Sequence, residues 1–464
     1  MMPVSQQKTV CVVGGGLAGL AAGCALADAG LKVTLFERRP YVGGRASSYE
    51  HPGTGEIVDN CQHILLGCCT NLVHFYEKLG VAGQILWFDE ITFIEPGGRM
   101  SRFVPKSYLP APMHNLPSFL GAAMLGAKDK LSIARALSAM SREVPGDSSE
   151  DFLSWLKRHQ QTEQSIRRFW EPVLFSALNE DLDRMSVRYA AKVFRESFMN
   201  SAQGGRMGIP GVPLSELYSA AAEYIRARGG EVRLRAPVSV VDPQAAGVTV
   251  ASGAGEERFD FAVLAVPFQS TASLLPSEPE AQAIREKLEH FQSSPITGIH
   301  LWFDREITPL SHAALLDRTI QWLFHKSKFQ KNREGAGSYV ELVVSSSKTL
   351  VPKSREEILE LGLRELAEFF PAVNEAKVLK AAVVKEIYAT YSILPGLDQY
   401  RPASATPWPR LFLAGDWTAT GWPATMEGAV RSGYMAAEGL TASLGQAQRF
   451  LVADLPPQGL MRLL

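Results

Sequence analysis

The chain has 464 residues, 46% of them hydrophobic and 20% charged, which is more apolar material than one ordinary core holds and implies two domains. Its formal net charge is −1, so no basic field gathers nucleic acid, and a nucleic-acid partner is not expected. Five cysteines, an odd number without framework spacing, point to reduced thiols and a cytoplasmic setting.

The opening "MMPVSQQKTV" lacks the basic region and apolar stretch of a secretory signal. Thr9 to Ala27 is uncharged and nearly long enough to cross a bilayer, but five of its residues are glycine. A strand, a tight turn and a helix of small residues explain it better. "TVCVVGGGLAGLAAGCALADAGLKVTLFE" predicts a strand Thr9–Val13, a helix Leu17–Ala29 closed by Gly30, and a strand Lys32–Phe36. Gly14, Gly16 and Gly19 match G-x-G-x-x-G, whose glycines permit the tight turn, close approach to a pyrophosphate, and packing of helix on strand. The phosphates belong at the positive helix end, where Leu17 and Ala18 stand. Glu37 ends the second strand, where its carboxylate can accept ribose hydroxyls; it disfavours a 2′-phosphate, which Arg38 and Arg39 keep open. In "RRPYVGGRASS", Gly43, Gly44 and Arg45 bring a second flexible backbone and a guanidinium to the same pyrophosphate, which favours FAD over NAD.

The stretch "VDNCQHILLGCCT" (58–70) gathers an acid, an amide, a histidine and three cysteines. A structural zinc needs four converging ligands, usually from two cysteine pairs. Cys68 and Cys69 are adjacent and expected to diverge, while Cys11 and Cys24 belong to the nucleotide motif, so no metal is expected. Further on, 116–140 is apolar with Lys128, Lys130 and Arg135 beside it, which suits either an interfacial membrane contact or an ordinary helix. "PLSELYSAAAEYIRARGGEVRLRAPVSVVD" predicts an amphipathic helix followed by a strand, and 260–267 another strand. Near the end, an apolar strand Leu411–Ala414 leads into Gly415 and Asp416, a loop, and a helix from about Met426. Asp416 can bind ribityl hydroxyls, and the backbone N–H groups of Thr425, Met426 and Glu427 can face the pyrimidine edge of a flavin. The tail 455–464 fits a second membrane contact, a dimer contact or disorder equally well.

Together these motifs resemble the FAD-dependent amine oxidase and phytoene desaturase superfamily, at both ends of the chain and in the middle. Within it, "DNCQHILLGC", "PAPMHNLPSFL", "FWEPVLFSALNEDLDRMS" and "GDWTATGWPATMEGAVRSG" are similar to the squalene-associated branch, the hydroxysqualene dehydroxylases, where glycine usually stands in place of Cys61. The resemblance implies an α/β fold: a discontinuous Rossmann-like, doubly wound FAD domain (1–105, 205–270, 385–445) interleaved with an α+β substrate domain (106–204, 271–384), followed by a tail (446–464). It implies backbone contacts from Val238 to the adenine. It also places 58–67 along the flavin and substrate cavity, although a structural hydrogen-bonded cluster explains Asp59, Asn60 and His63 equally well. With no cysteine after Cys69, the FAD is expected to be noncovalent.

The implied activity is reductive removal of an allylic hydroxyl, converting hydroxysqualene to squalene and water. Asp59 and His63 are the candidate acids, one of them raised in pKa by the apolar site. Trp417, Trp422 and Tyr391 are candidate aromatic faces for a developing allylic cation. A C30 polyprenyl substrate implies peripheral contact with the inner face of a membrane, and the lack of a second dinucleotide motif implies a separate reductant or redox partner. The alternatives are an oxidative carotenoid desaturase, an amine oxidase, and a non-enzymatic escort protein carrying prenylated partners.

Overall fold

The computed structural model describes residues 7–142, 146–330 and 337–463. Five parallel strands form the nucleotide-side sheet, in the spatial order Glu231–Arg233, Lys32–Phe36, Thr9–Val13, Phe261–Leu264, Leu411–Leu413. The strands Thr9–Val13, Phe261–Leu264 and Leu411–Leu413 are short, largely apolar runs, as expected where both faces of a parallel sheet are covered, whereas Glu231–Arg233 is a charged edge strand. The helix Leu17–Asp28 is buried at every residue from Leu17 to Ala27. A helix apolar on all sides must be enclosed on all sides, and here the sheet, the helix Leu214–Ala227 and the helix Met426–Ser443 enclose it.

Glycine makes this enclosure tight. Gly14 turns the chain at φ +110°, and a Cβ there would meet the Ala265 carbonyl oxygen at 2.5 Å. A Cβ on Gly433 would lie 2.3 Å from the Ala18 carbonyl oxygen, so the two long helices touch backbone to backbone.

A seven-stranded sheet forms the second layer, in the order Val378–Tyr391, Ser293–Phe303, Ser338–Ser345, Trp322–Phe324, His312–Leu315, Ile91–Ile94, Met100–Phe103. The last two strands lie in the part assigned above to FAD binding, yet their ladder runs into this sheet through Ala314 and Leu315. Val378–Tyr391 likewise pairs along Ser293–Phe303 across the expected boundary at 385. The helix Arg355–Phe369 covers one face, its start fixed by reciprocal hydrogen bonds between Ser354 and Glu357.

Residues 116–140 form two helices, Leu116–Gly121 and Ala127–Arg142. The second buries Ile133, Ala136 and Met140, while Leu120 and Leu131 remain exposed. Two π-helical turns interrupt the helical insert, at Ile166–Trp170 and Arg195–Met199. The tail is held in place: Gln458 N–H donates to Asn200 and Leu460 N–H to Ala111, so of the three alternatives left open for it, disorder does not hold at these residues.

The Gly433→Ala variant is expected to lose about 1–3 kcal/mol of stability by overpacking. A urea melt checks this; an unchanged midpoint would show that the two helices do not meet at this position.

Candidate functional site

A cavity of about 600 Å³ lies against the carboxyl ends of Thr9–Val13 and Lys32–Phe36 and extends to the second sheet, the position where open α/β sheets bind ligands. Its polar end is lined by Gly14, Gly16, Leu17, Ala18, Glu37, Arg38, Gly43, Gly44, Arg45, Val238, Gly415, Asp416, Thr425, Met426 and Glu427. Of the residues singled out for the cofactor, only Gly19 stands behind the wall. A Cβ there would meet the Gly14 carbonyl oxygen at 1.9 Å, which fits a packing role.

Backbone bonds assemble this end. Gly43 N–H donates to the Gly15 carbonyl at 2.8 Å, setting the two glycine segments side by side. The Glu37 carboxylate accepts from the N–H groups of Gly15 (2.7 Å) and Arg39 (2.8 Å), which fixes its position in the cavity wall. Arg45 pairs with Asp416 at 2.6 Å, joining motifs 371 residues apart. Arg401, which the sequence reading missed, is buried beneath and donates to the carbonyls of Asp416 (2.9 Å) and Thr418 (2.5 Å). Nothing in its sequence context marks it.

Thr425 caps the helix Met426–Ser443 by accepting from Gly428 N–H, leaving that helix start against the cavity. The Glu427 carboxylate turns away: it accepts from Leu72 N–H (2.7 Å) and the Arg431 guanidinium (2.6 Å), thereby capping the helix Thr70–Lys78. The glycines, the carboxylates and the open helix end together make a cradle suited to a dinucleotide with a flavin.

The candidate chemistry is placed differently from expectation. Asp59 does not line the cavity. Burial would raise its pKa, but the Lys326 ammonium at 2.5 Å, with the Ser48 hydroxyl and Leu214 N–H, holds it below the ordinary carboxylate value. It is an ionised structural partner with no proton to give. His63 does line the cavity, but burial pulls its pKa down and its Nδ1 lies 2.8 Å from the Cys61 carbonyl. An Nδ1–H donated there leaves Nε2 as an acceptor, the reverse of an acid. Neither candidate has the raised pKa expected of an acid.

Among the aromatics, Trp417 lines the cavity, with its indole N–H held by the Val266 carbonyl at 3.0 Å. Trp422 also lines it, but Lys192 and Arg431 already lie 4.7 Å from its ring, so that face is occupied by cations. Tyr391 is not in the wall. Strand alternation turns Thr390 toward the cavity and Tyr391 to the opposite face, against Phe291.

The sequence reading missed Lys192 and Glu196, which line the cavity beside Trp422. They stand one helical turn apart, where the helix Val187–Phe194 passes into the π-helical turn Arg195–Met199, a distortion frequent at functional sites. Burial draws Lys192 below the ordinary lysine value. The only available signal was a lysine and a glutamate at i, i+4 in a strongly amphipathic helix. Among the described residues, no three His, Cys, Asp or Glu side chains converge as a metal site.

Behind the wall, Lys326 also donates to Gln62 at 2.8 Å and lies 3.5 Å from Glu341. Burial pushes Glu341 from its ordinary 4.5 up to about 7. The folded protein therefore keeps a proton that the unfolded chain releases near 4.5. That contribution to stability is complete below pH 4.5 and is lost as pH rises toward 7. Glu341→Gln is expected to flatten this fall, and melting curves across that window check it; an unchanged slope would assign the proton to another group.

The sequence profile described as "Flavin containing amine oxidoreductase" matches residues 17–441. The chain is 30% identical to 15-cis-phytoene desaturase of Synechococcus elongatus, over 95% of this chain and 97% of the relative. It is 27% identical to zeta-carotene desaturase of Synechocystis sp., over 96% and 99%. Among solved structures, an oxidoreductase from Methanosarcina mazei superposes with a TM-score of 0.73 at 19% identity, covering 92% of this chain and 98% of that one. Putrescine oxidase bound to putrescine does so with 0.70 at 18%, covering 94% and 99%. These two likenesses show the fold. The cofactor is FAD, and the chain belongs to the flavin-containing amine oxidoreductase family.

Proposed function

We propose that this protein is an FAD-dependent oxidoreductase of long polyprenyl substrates. The observation that carries this reading is the division of the cavity. Beyond the polar cradle, its walls include Ile64, Leu66, Ile91, Phe93, Val173, Leu274, Ile296 and Trp322, with Gln62, Ser176, Asn179, Ser270, Ser273 and Thr390 between them, and the apolar share suits a hydrocarbon chain. The two desaturase relatives support the same substrate class. Gly14, Gly16 and Gly43 to Arg45 would hold the pyrophosphate, Glu37 a ribose, Val238 the adenine, and Asp416 the ribityl chain, without a covalent link. Bound FAD supplies two-electron redox chemistry. The residues of the chain then orient the substrate, exclude water and place protons.

In the first reading, supported by these relatives, the enzyme desaturates a carotenoid-type chain. A second reading, reductive dehydroxylation of hydroxysqualene, is favoured by Lys192 and Glu196. An ammonium with a lowered pKa in an apolar wall can protonate a leaving hydroxyl, a task desaturation does not have. Trp417 is then the aromatic face left for a developing cation. In either direction the electrons pass to or from a separate redox partner.

Two anaerobic reactions separate the directions. Oxidised holoenzyme given phytoene bleaches and forms conjugated product if it is a desaturase. Reduced holoenzyme given hydroxysqualene regains its yellow colour with stoichiometric squalene if it is a dehydroxylase. Failure of both would sink the polyprenyl reading. Under the second reading, Lys192→Met should lower turnover at least about 100-fold with the FAD content unchanged; retained turnover would remove Lys192 as the proton donor.

Access from a membrane surface belongs to the same proposal. No helix among the described residues is long and apolar enough to cross a bilayer. Tyr108, Met113, Leu116 and Leu120 are exposed along one segment, and the tail, docked at Ala111, adds exposed Leu460 and Leu463. This apolar surface, with Lys128 and Lys130 next to it in sequence, suits an interfacial contact. Leu120→Asp combined with Leu463→Asp is expected to weaken co-sedimentation with anionic vesicles at least about tenfold, and equal sedimentation of the variant would exclude this surface.

A further inference from the structure

We propose that Cys68 and Cys69 form a redox-active dithiol in the wall of the FAD cavity, a site that exchanges two electrons with the bound flavin by closing to a disulfide between neighbouring residues. The inference rests on FAD occupying the cavity and is independent of the substrate.

Adjacent side chains in an extended chain point to opposite sides, and on that ground these thiols were expected to diverge. A tight turn defeats the rule. Thr70 N–H donates to the Cys68 carbonyl at 2.9 Å, across Cys69 at φ −79° and ψ 64°, which is an inverse γ-turn. Both cysteines consequently line the same cavity as the glycine segments and Asp416. Cys68 Sγ lies 3.4 Å from the Ser197 hydroxyl.

The electrostatics separate this pair from the other cysteines. The neighbouring sulfur holds Cys68 below the ordinary thiol value and pushes Cys69 well above it. Burial drives Cys11, Cys24 and Cys61 upward; Cys11 and Cys24 are core packing, and Cys61, which also lines the cavity, has no cysteine beside it in sequence. Two adjacent sulfurs, one more acidic than the other, are the arrangement from which a disulfide forms.

The reaction balances within the holoenzyme. Two S–H bonds break and one S–S bond forms, while two electrons and two protons pass to oxidised FAD; reduced FAD reopens the bond by the reverse transfer. Neighbouring Cα atoms lie only ~3.8 Å apart, short of the usual disulfide span, so the closed form is strained and readily reduced. Such a pair stores an extra two electrons beside the flavin.

The test is a count of electrons. Holoenzyme is oxidised with diamide, desalted and titrated with dithionite without oxygen, following flavin absorbance. The wild type is expected to take up about four electrons per FAD and Cys69→Ser about two. Uptake of about two by the wild type, or about four by the variant, would overturn the proposal. A second measurement on the wild type does not depend on the variant folding. After diamide, the peptide carrying both cysteines should resist iodoacetamide and be lighter by two hydrogen atoms than after reduction, whereas alkylation of both sulfurs would refute the site.

Discussion

The helix Leu17–Asp28 can exist only inside the protein, and that constraint organises the rest of the chain. It carries no charged side chain before Asp28 and is apolar around its whole circumference, so every face needs a partner. The sheet beneath covers one face. The others are covered by the helices Leu214–Ala227 and Met426–Ser443, which come from two distant parts of the chain. Docking the last helix through Gly433 brings its N-terminus and Asp416 to the cavity, and Arg45 then meets Asp416 at 2.6 Å. The cofactor cradle is therefore a consequence of enclosing one helix.

The second layer sets the character of the site by charge placement. Asp59, Lys326 and Glu341 form a buried cluster behind the wall, with Lys326 and Asp59 at 2% and 4% side-chain exposure. A buried ion pair is costly to desolvate and adds little stability, but it can fix register, and this one ties the segment Asp59 to His63 to the second sheet. Because Asp59 and Lys326 pair behind the wall, the titratable groups facing the cavity beyond the cradle are Cys61, His63, Cys68, Cys69, Lys192 and Glu196, beside the neutral polar groups Asn60, Gln62, Ser176, Asn179, Ser197, Ser270, Ser273 and Thr390. An apolar chamber with so few groups able to move a proton matches chemistry in which the flavin carries the electrons and the protein controls water and protons.

Much of this was legible in the sequence because it depends on local rules. The Gly14, Gly16, Gly19 spacing determined the strand, turn and helix that follow, and the strands Thr9–Val13 and Lys32–Phe36 fall where the apolar runs end. Glu37 and Asp416 could be read as cofactor contacts because each follows a strand end, and Gly43 to Arg45 because they form the loop after the second strand. The helix starting at Met426 was legible from the strand and loop before it, whereas the Thr425 cap appears only in the structure.

What only the tertiary structure decided was which polar side chain faces ligand and which faces another side chain. Asp59 and Lys326 are 267 residues apart, and no periodicity reveals that they meet. Tyr391 and Thr390 exchange roles through a single step of strand alternation. Cys68 and Cys69 line one cavity across a tight turn, and Lys192 reaches it with its ammonium 4.7 Å from the Trp422 ring. Local pattern determined the backbone frame and the cofactor, since both follow from hydrogen bonding and burial within a few residues. The reactive surface of the cavity was decided by long-range packing, because protonation state and orientation depend on partners that the chain brings together only when folded.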